Sequence, residues 1–234
     1  MRSFYVVFGL LAPAFAGAAV IPGPCTGGTL NTYLGNGFSC TIGNLLFSNF
    51  NYTPGGTVPI APSAITINPL KTPVGDEGFD FNPGEAVNSI GHPALISQDV
   101  NISFLVSTLD GAFSIDDLFI GFNGSASGSG LADFTEKYCP GQTTTINGSC
   151  TGGGTFTVAN PGGPVNRVIT FAASNMVAID KDVLVSTQGD CGRASVSDFA
   201  NRYSQTLVPE PATLYPLAAG LIGCGFLRRR RTRS

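Results

Sequence analysis

The stretch GDEGFDFNPGE holds the densest group of carboxylates in the chain, at Asp76, Glu77, Asp80 and Glu85. Carboxylates and backbone carbonyls are the oxygen ligands that Ca²⁺ prefers, and the glycines in the stretch would let a loop fold around an ion. The spacing departs from that of an EF-hand. We therefore predict a solvated loop between strands and no cofactor, with Ca²⁺ binding as the alternative.

Residue patterns typical of catalysis are sparse. The only histidine is His92, which lies between a glycine and a proline as in a turn. The sequence has no Gly-x-Ser-x-Gly elbow, no His-Glu-x-x-His motif and no phosphate loop. Carboxylates such as Asp116, Asp117, Asp180 and Asp182 could serve a glycosidase, but neighbouring residues of a regular strand point to opposite faces. We predict a non-catalytic protein, with a secreted hydrolase as a remote alternative.

Five cysteines outside the C-terminal tail could form disulfides if the protein is exported to an oxidising space. Proximity in sequence favours the pairs Cys25–Cys40 and Cys139–Cys150, which leaves Cys191 as the odd thiol. Five cysteines allow fifteen ways of making two bridges, so the pairing stays open at this point. No Cys-x-x-Cys pattern indicates a zinc or redox site.

Period-two alternation of apolar residues dominates the elements that must position these groups. Val100, Ile102, Phe104 and Val106 alternate with more polar residues, as in a strand with one buried face. Similar runs occur at 45–52, 64–67, 79–81, 167–172 and 177–185. We predict an antiparallel β-sandwich or jelly-roll-like domain of roughly eight to ten strands.

Three local patterns qualify this prediction. The apolar phase switches at Asp116-Asp117, which indicates a β-bulge or a tight turn. Residues 196–207 contain apolar residues at helical spacing but sit among serines, and we interpret them as a strand. The sequence GSASG at 124–128 is typical of a flexible connector rather than a catalytic elbow.

Charge limits the partners of the segment between the two ends of the chain. Residues 20 to 208 carry six basic and fourteen acidic side chains, a net charge of about −8, although the whole chain carries −3. An acidic domain disfavours nucleic acid and is compatible with cations or neutral glycans. Exposed aromatic residues such as Tyr33, Tyr52 and Tyr138 could contact a glycan, and the chain has no tryptophan.

The N-terminus has the order of a secretory signal peptide. A short basic start, Met1-Arg2-Ser3, precedes the apolar run 4–11, and the small residues of a cleavage site follow at 14–18. We predict a signal peptide over residues 1–19 and a secreted β-sandwich domain over residues 20–207.

The C-terminus combines three features in fixed order. Pro209, Glu210 and Pro211 precede an uncharged run from Ala212 to Leu227, and five arginines lie among the last seven residues. As a helix, the uncharged run would measure about 24 Å, somewhat less than the hydrocarbon core of a membrane. The cluster Arg228, Arg229, Arg230 and Arg231 would stay in the cytoplasm.

This tail, residues 208–234, resembles the sorting tails of PEP-CTERM proteins of Gram-negative bacteria. The resemblance implies that an exosortase, a membrane protease, recognises Pro209, Glu210 and Pro211, with Ala212 to Leu227 as a transient transmembrane helix. It implies an inner-membrane precursor that is passed to the cell surface or the extracellular matrix. The segments 40–53, 134–139 and 180–204 are also loosely similar to ectodomains of unknown role in such proteins.

We therefore predict an exported, non-catalytic surface or matrix protein that associates with exopolysaccharide. The alternative is a module that binds Ca²⁺ or a glycan.

Overall fold

The computed structural model describes residues 22–72, 75–88, 95–143, 150, 152–160, 162–187, 189 and 191–208. Its strands, labelled β1 to β13 in chain order, are Gly28–Thr29, Ser39–Ile42, Leu45–Gly55, Thr66–Lys71, Glu77–Asn82, Glu85–Asn88, Ile96–Thr108, Phe113–Ser127, Gly130–Pro140, Gly154–Ala159, Val165–Ser174, Met176–Thr187 and Arg193–Leu207. Helix α1, Leu30–Tyr33, follows β1, and a 3₁₀ turn spans Pro62–Ala64.

The strands form two antiparallel sheets. In the seven-stranded sheet the order is β1-β4-β5-β13-β8-β11, and β6 pairs with the first part of β13, beyond the end of β5. In the six-stranded sheet the order is β10-β9-β12-β7-β3-β2. The predicted antiparallel β-sandwich is confirmed.

The two sheets bury one continuous apolar core between their inner faces. Phe79, Phe81 and Phe199 of the seven-stranded sheet are fully buried, as are Phe47 and Phe134 of the six-stranded sheet. Rings from the two sheets meet: Phe47 lies 4.7 Å from Phe79 edge-on, and Phe134 lies 5.8 Å from Phe199. Alternation therefore sends every second residue of the central strands to an outer face.

Several local predictions hold. β8 pairs Asp117 with Ser204 but Ile115 with Gln205, so Asp116 is the extra residue of a β-bulge at the predicted phase switch. Residues 196–207 form a strand, as predicted. Val196 is buried before the bulge at Ser197, and alternation resumes after it with Phe199 and Tyr203 buried.

Two local predictions are wrong. The stretch from Asp76 to Glu85 is not a loop, because Phe79 and Phe81 enter the core and extend the backbone as β5, and β6 begins at Glu85. GSASG is not a connector either, since its first four residues finish β8 and pair with β13. The thirteen strands within the described residues already exceed the predicted range, because short strands such as β1 and β6 carry too few residues to show a period.

The predicted signal peptide, His92 and the tail from Pro209 onward lie outside the described residues. Among the residues that are described, no helix is long and apolar enough to cross a membrane.

Candidate functional site

The four carboxylates singled out for Ca²⁺ occupy separate environments. Asp76 accepts a hydrogen bond from Ser204 at 3.1 Å, and Glu77 accepts one from Gln205 at 2.9 Å. Asp80 lies three residues after Glu77, so it projects to the opposite face of β5. Glu85 is 1% exposed on β6. Within the described ranges, no group of three or more acidic, histidine or cysteine side chains is arranged to hold a metal ion.

Both predicted disulfides are present. Cys25 is bonded to Cys40 and Cys139 to Cys150, with Cα–Cα distances of 4.8 and 5.2 Å. Cys191 is free and exposed, as expected. Disulfides of this kind persist in oxidising compartments.

The tyrosines expected to be exposed are packed instead. Tyr33 is 1% exposed and donates a hydrogen bond to the carbonyl of Thr26. Tyr52 is half-buried and donates to the carbonyl of Ile60. Tyr138 stacks on Phe171 at 5.8 Å. The expectation that these rings are exposed is wrong for Tyr33, which is buried in α1, whereas Tyr52 and Tyr138 are half-buried against the core on the inward phase of β3 and β9.

A buried ionic group connects the two sheets. Lys181 of β12 pairs with Glu136 of β9, and both side chains are fully buried. Asn201 of β13, in the other sheet, donates hydrogen bonds to both Glu136 carboxylate oxygens at 2.9 and 3.1 Å. Burial raises the pKa of Glu136 and lowers that of Lys181, because burial penalises both charges.

Aromatic rings surround the ammonium group of this pair. The rings of Phe134, Phe199 and Phe81 have their centres 5.4, 5.7 and 6.0 Å from Lys181 Nζ. Their faces favour a cation electrostatically. Since no solvent reaches the group, we assign it to the connection between the sheets and not to a binding site.

The outer face of the seven-stranded sheet carries a continuous row of paired residues across five strands. In order from β4 to β11 these are Asn68, Asp80, Ala200, Gly121 and Asn166. Four strand spacings of about 4.8 Å make the row roughly 19 Å long. Its centre holds the two smallest side groups, since Gly121 has no side chain and Ala200 has only a methyl group, and Gly121 is buried among its neighbours.

Four further polar side chains lie beside this row. Asn82 donates a hydrogen bond to Asp80 at 2.8 Å, and Asn123 donates one to Asp198 at 3.1 Å. Ser197 also donates to Asp198, at 2.7 Å. We call the outer-face group the polar platform: Asn68, Asp80, Asn82, Asn123, Asn166 and Asp198 around Ala200 and Gly121.

The two Asp–Asn pairs leave donors and acceptors facing solvent. An amide has two donors and an acceptor, and a carboxylate can accept several hydrogen bonds, so one mutual bond does not exhaust either group. The pKa of Asp80 is raised, chiefly by partial burial and also by Asp198, while the bond from Asn82 opposes this rise.

An aromatic residue adjoins the platform. Phe119 pairs with Arg202 and Val168 in the next row of the same face. The Arg202 guanidinium lies 4.0 Å from the centre of the Phe119 ring, a cation–π contact. A Cβ added at Gly121 would lie 3.3 Å from Phe119 and 3.4 Å from the Asn166 side chain, so any larger residue there would displace these two side chains.

The outer face of the six-stranded sheet is chemically different. Asp99, Asp133, Asp180 and Asp182 project from β7, β9 and β12; we call this group the acidic face. Asn101 donates a hydrogen bond to Asp180 at 2.7 Å. Burial, then a hydrogen bond and charge repulsion from Asp99, raise the pKa of Asp182 to about 6.

Comparison with known proteins gives distant likenesses only. No protein-family model and no curated protein matches the chain. Solved structures with a partly similar arrangement include TmCBM61 in complex with β-1,4-galactotriose (TM-score 0.31, 12% identity, covering 65% of this chain and 88% of that one).

Two further structures show the same level of likeness. One is the family 11 carbohydrate-binding module from Clostridium thermocellum with a mixed-linked tetrasaccharide (TM-score 0.21, 10% identity, 76% and 96% coverage). The other is the enzymatically active domain of bacteriophage CBA120 tailspike protein 4 (TM-score 0.29, 12% identity, 67% and 20% coverage). Likeness at these TM-scores carries no argument about function.

The polar platform was not foreseen from the sequence. The sequence pattern indicated Asp80 only as a possible Ca²⁺ ligand in a loop. Asn68, Asn123 and Asp198 come from strands that are far apart in the chain. The available signal was the alternation of Asn or Asp with buried apolar residues in segments such as DFN at 80–82.

Proposed function

We propose that the sandwich is a non-catalytic module that binds a polysaccharide outside the cell through the polar platform. The observation that carries this proposal is the row of Asn and Asp side chains, roughly 19 Å long, on either side of Ala200 and Gly121. Sugar hydroxyls both donate and accept hydrogen bonds, and amide–carboxylate pairs offer both functions on a rigid sheet.

The rigidity of the platform favours binding. The side chains stand on strands in the middle of a sheet, and the residues that alternate with them, such as Ile120, Phe199 and Asn201, are fully buried. A surface held in place before binding loses little conformational entropy when a ligand arrives. The two disulfides are consistent with an extracellular site of action.

A glycan array followed by calorimetry tests this proposal. The protein should bind at least one neutral polysaccharide, and replacing Gly121 by Leu should abolish binding, because the new side chain would displace Asn166 and Phe119 and change the shape of the platform. Val168→Leu, on the exposed edge strand of the same sheet, is a matched control that should bind normally. An array without any polysaccharide ligand would contradict the proposal.

Delivery of the protein to the outside of the cell is a second part of the proposal. We propose that the tail, with Pro209, Glu210 and Pro211 as its motif, is read by an exosortase and removed. Glu210→Ala should leave the apolar run and arginines unchanged yet block processing, so the full-length form should accumulate in the inner membrane. Intact mass of the surface-recovered protein checks this: a species that still carries Arg228 to Arg231 would show a plain anchor.

A further inference from the structure

A cavity of about 490 Å³ lies at one end of the seven-stranded sheet, where β6, β13 and β8 run side by side. Ala86, Asn88, Ser125, Ser127, Arg193 and Ser195 are among the residues that line it. Its volume lies within the range of small-ligand pockets.

The register of the strands explains the shape of the cavity. Ser195 is paired with Ala86 on one side and Ser125 on the other, and Arg193 is paired with Asn88 and Ser127. Most of these side chains are small, so the surface dips between the three strands. The hydroxyls of Ser125 and Ser195 lie 3.0 Å apart and share a hydrogen bond.

Arg193 supplies the positive charge of this cavity. Its side chain is exposed, and neither of the salt bridges within the described part of the chain involves it. No acidic side chain is among the described residues that line the cavity.

The acidic residues of the polar platform and of the acidic face lie at a distance from Arg193. Arg193 is opposite Ser127 and Asp198 is opposite Asn123, so across the bulge at Ser197 the two are separated by four residues of β8, roughly 13 Å. The acidic face lies on the far side of a sandwich whose sheets are about 10 Å apart. Charges at these distances are largely screened at physiological ionic strength, where the Debye length is about 8 Å.

We propose that this cavity binds the carboxylate of an acidic sugar in the polysaccharide whose neighbouring sugars lie on the polar platform. This inference rests on the proposed function and names the class of ligand. The planar guanidinium of Arg193 matches a carboxylate with two parallel hydrogen bonds. Ser125 and Ser195 then accept and donate hydrogen bonds with ring hydroxyls of the same sugar.

The position of the cavity supports a shared ligand. The cavity and the platform occupy the same outer face, and both use β8 and β13. Ser195 is opposite Ser125 and Asp198 is opposite Asn123, so across the bulge the two are only two residues of β8 apart, about 7 Å. The net negative charge of the domain favours neutral ligands in general, and Arg193 makes this end of the face a local exception.

Paired polymers test the inference on the full-length protein. Alginate, polygalacturonate and hyaluronan are compared with their carboxyl-reduced forms, which keep the linkages and lose the charge. At least one acidic polymer should bind ten-fold or more tightly than its reduced form at physiological salt. Arg193→Gln should bring that ratio close to one and leave the affinity for the reduced form unchanged.

Control variants separate the site from general charge effects. Arg167→Gln removes an exposed arginine on β11, outside the cavity, and should keep the ratio. Arg193→Lys should keep only part of the preference, because an ammonium group cannot form the paired contact. Equal thermal stability of the variants excludes unfolding as the cause.

Each other outcome overturns the inference in a recognisable way. Tight binding of reduced forms with no preference for acidic ones would remove the carboxylate site and leave the proposed function standing. Stronger binding of dextran sulfate than of every polyuronate would show a general anion site instead. Failure to bind any polymer, acidic or neutral, would overturn both proposals.

Discussion

The two outer faces of the sandwich are built by the same alternation and differ in chemistry. On the seven-stranded sheet, Asp80 and Asp198 are each held by an asparagine, and glycine and alanine lie between the polar side chains. On the six-stranded sheet, Asp99 and Asp182 adjoin one another, and repulsion contributes to the raised pKa of Asp182. The first arrangement offers balanced donors and acceptors, whereas the second accumulates negative charge.

The same sheet backbone can therefore carry either a face of paired carboxylates and amides or a face on which negative charge accumulates. The difference depends on which residue stands between the carboxylates. Both faces, however, depend on the same interior, so substitutions in the interior should have larger effects than substitutions at the surface.

The largest effect is expected from the buried ionic group that connects the sheets. Lys181→Ala would leave Glu136 as an uncompensated buried charge, and we expect a loss of about 3–5 kcal/mol in the free energy of unfolding. Both outer faces would then be disturbed together. Chemical denaturation measures this loss.

A double variant is the control for this prediction. Lys181→Met with Glu136→Leu replaces both charges by apolar groups of similar size, which often costs little or even stabilises. We expect it to be clearly more stable than Lys181→Ala. If the double variant lost as much stability as the single one, the account of an unpaired buried charge would be wrong.

The next effect concerns Glu85, which reaches the interior from β6. Among the described residues neither of its carboxylate oxygens has a hydrogen-bond partner, and burial, followed by repulsion from Asp99 and Asp182 of the acidic face, raises its pKa to about 8. Tyr52 also faces this region, and burial, with contributions from Glu85 and Asp99, raises its pKa to about 12.

The sign of the resulting pH dependence follows from the raised pKa. The folded protein holds a proton on Glu85 that the unfolded chain releases near pH 4.5, so this stabilisation is fully present below about pH 4.5 and is lost as pH rises through about 8. Glu85→Gln should therefore be near neutral at pH 4 and more stable than wild type by a few kcal/mol at pH 9, at about 1.4 kcal/mol per pKa unit.

Denaturation curves at the two pH values check this effect. Asp99→Asn should reproduce a smaller part of it, since Asp99 contributes less than burial does to the pKa of Glu85. An unchanged difference between wild type and Glu85→Gln across the pH range would contradict a raised pKa.

The smallest effect is expected at the acidic face itself. Asp182 is exposed, and its raised pKa of about 6 means that its stabilising proton is lost as pH rises through that value. Asp182→Asn should add less than about 1 kcal/mol at pH 8 and nothing at pH 3.5, because solvent screens exposed charges. Polysaccharide binding should not change. A loss of binding would place the polysaccharide on the acidic face and contradict the polar platform as its site.

Local patterns in the sequence predicted much of the fold. Val100 to Val106 shows its buried face directly, and the bulge at Asp116 is visible as a switch of apolar phase. The disulfide Cys25–Cys40 follows from proximity and the expected compartment. Each of these depends on residues that are near one another in the chain.

The candidate site could not be predicted in the same way, because register decides it. Asp80 meets Ala200, and Ala200 meets Gly121, only after β5, β13 and β8 pair. The sequence also suggested that Tyr52 is exposed, since it does not reveal which phase of a strand faces the second sheet, and that Tyr33 is exposed, since it does not show that α1 packs against the core. Lys181 and Glu136 look like surface residues until the core that surrounds them is known.

One binding measurement tests the central claim most directly, because the two faces offer a matched pair of variants. Asp198→Ala with Asn123→Ala removes a hydrogen-bonded Asp–Asn pair from the polar platform, and Asp180→Ala with Asn101→Ala removes an equivalent pair from the six-stranded sheet. Calorimetry with the best polysaccharide from the array should show at least a ten-fold loss of affinity for the first double variant, since hydrogen bonds of this kind contribute about 1–3 kcal/mol each. The second double variant should bind like wild type. Equal binding by both, or a loss confined to the second, would contradict the assignment of the polar platform as the polysaccharide site.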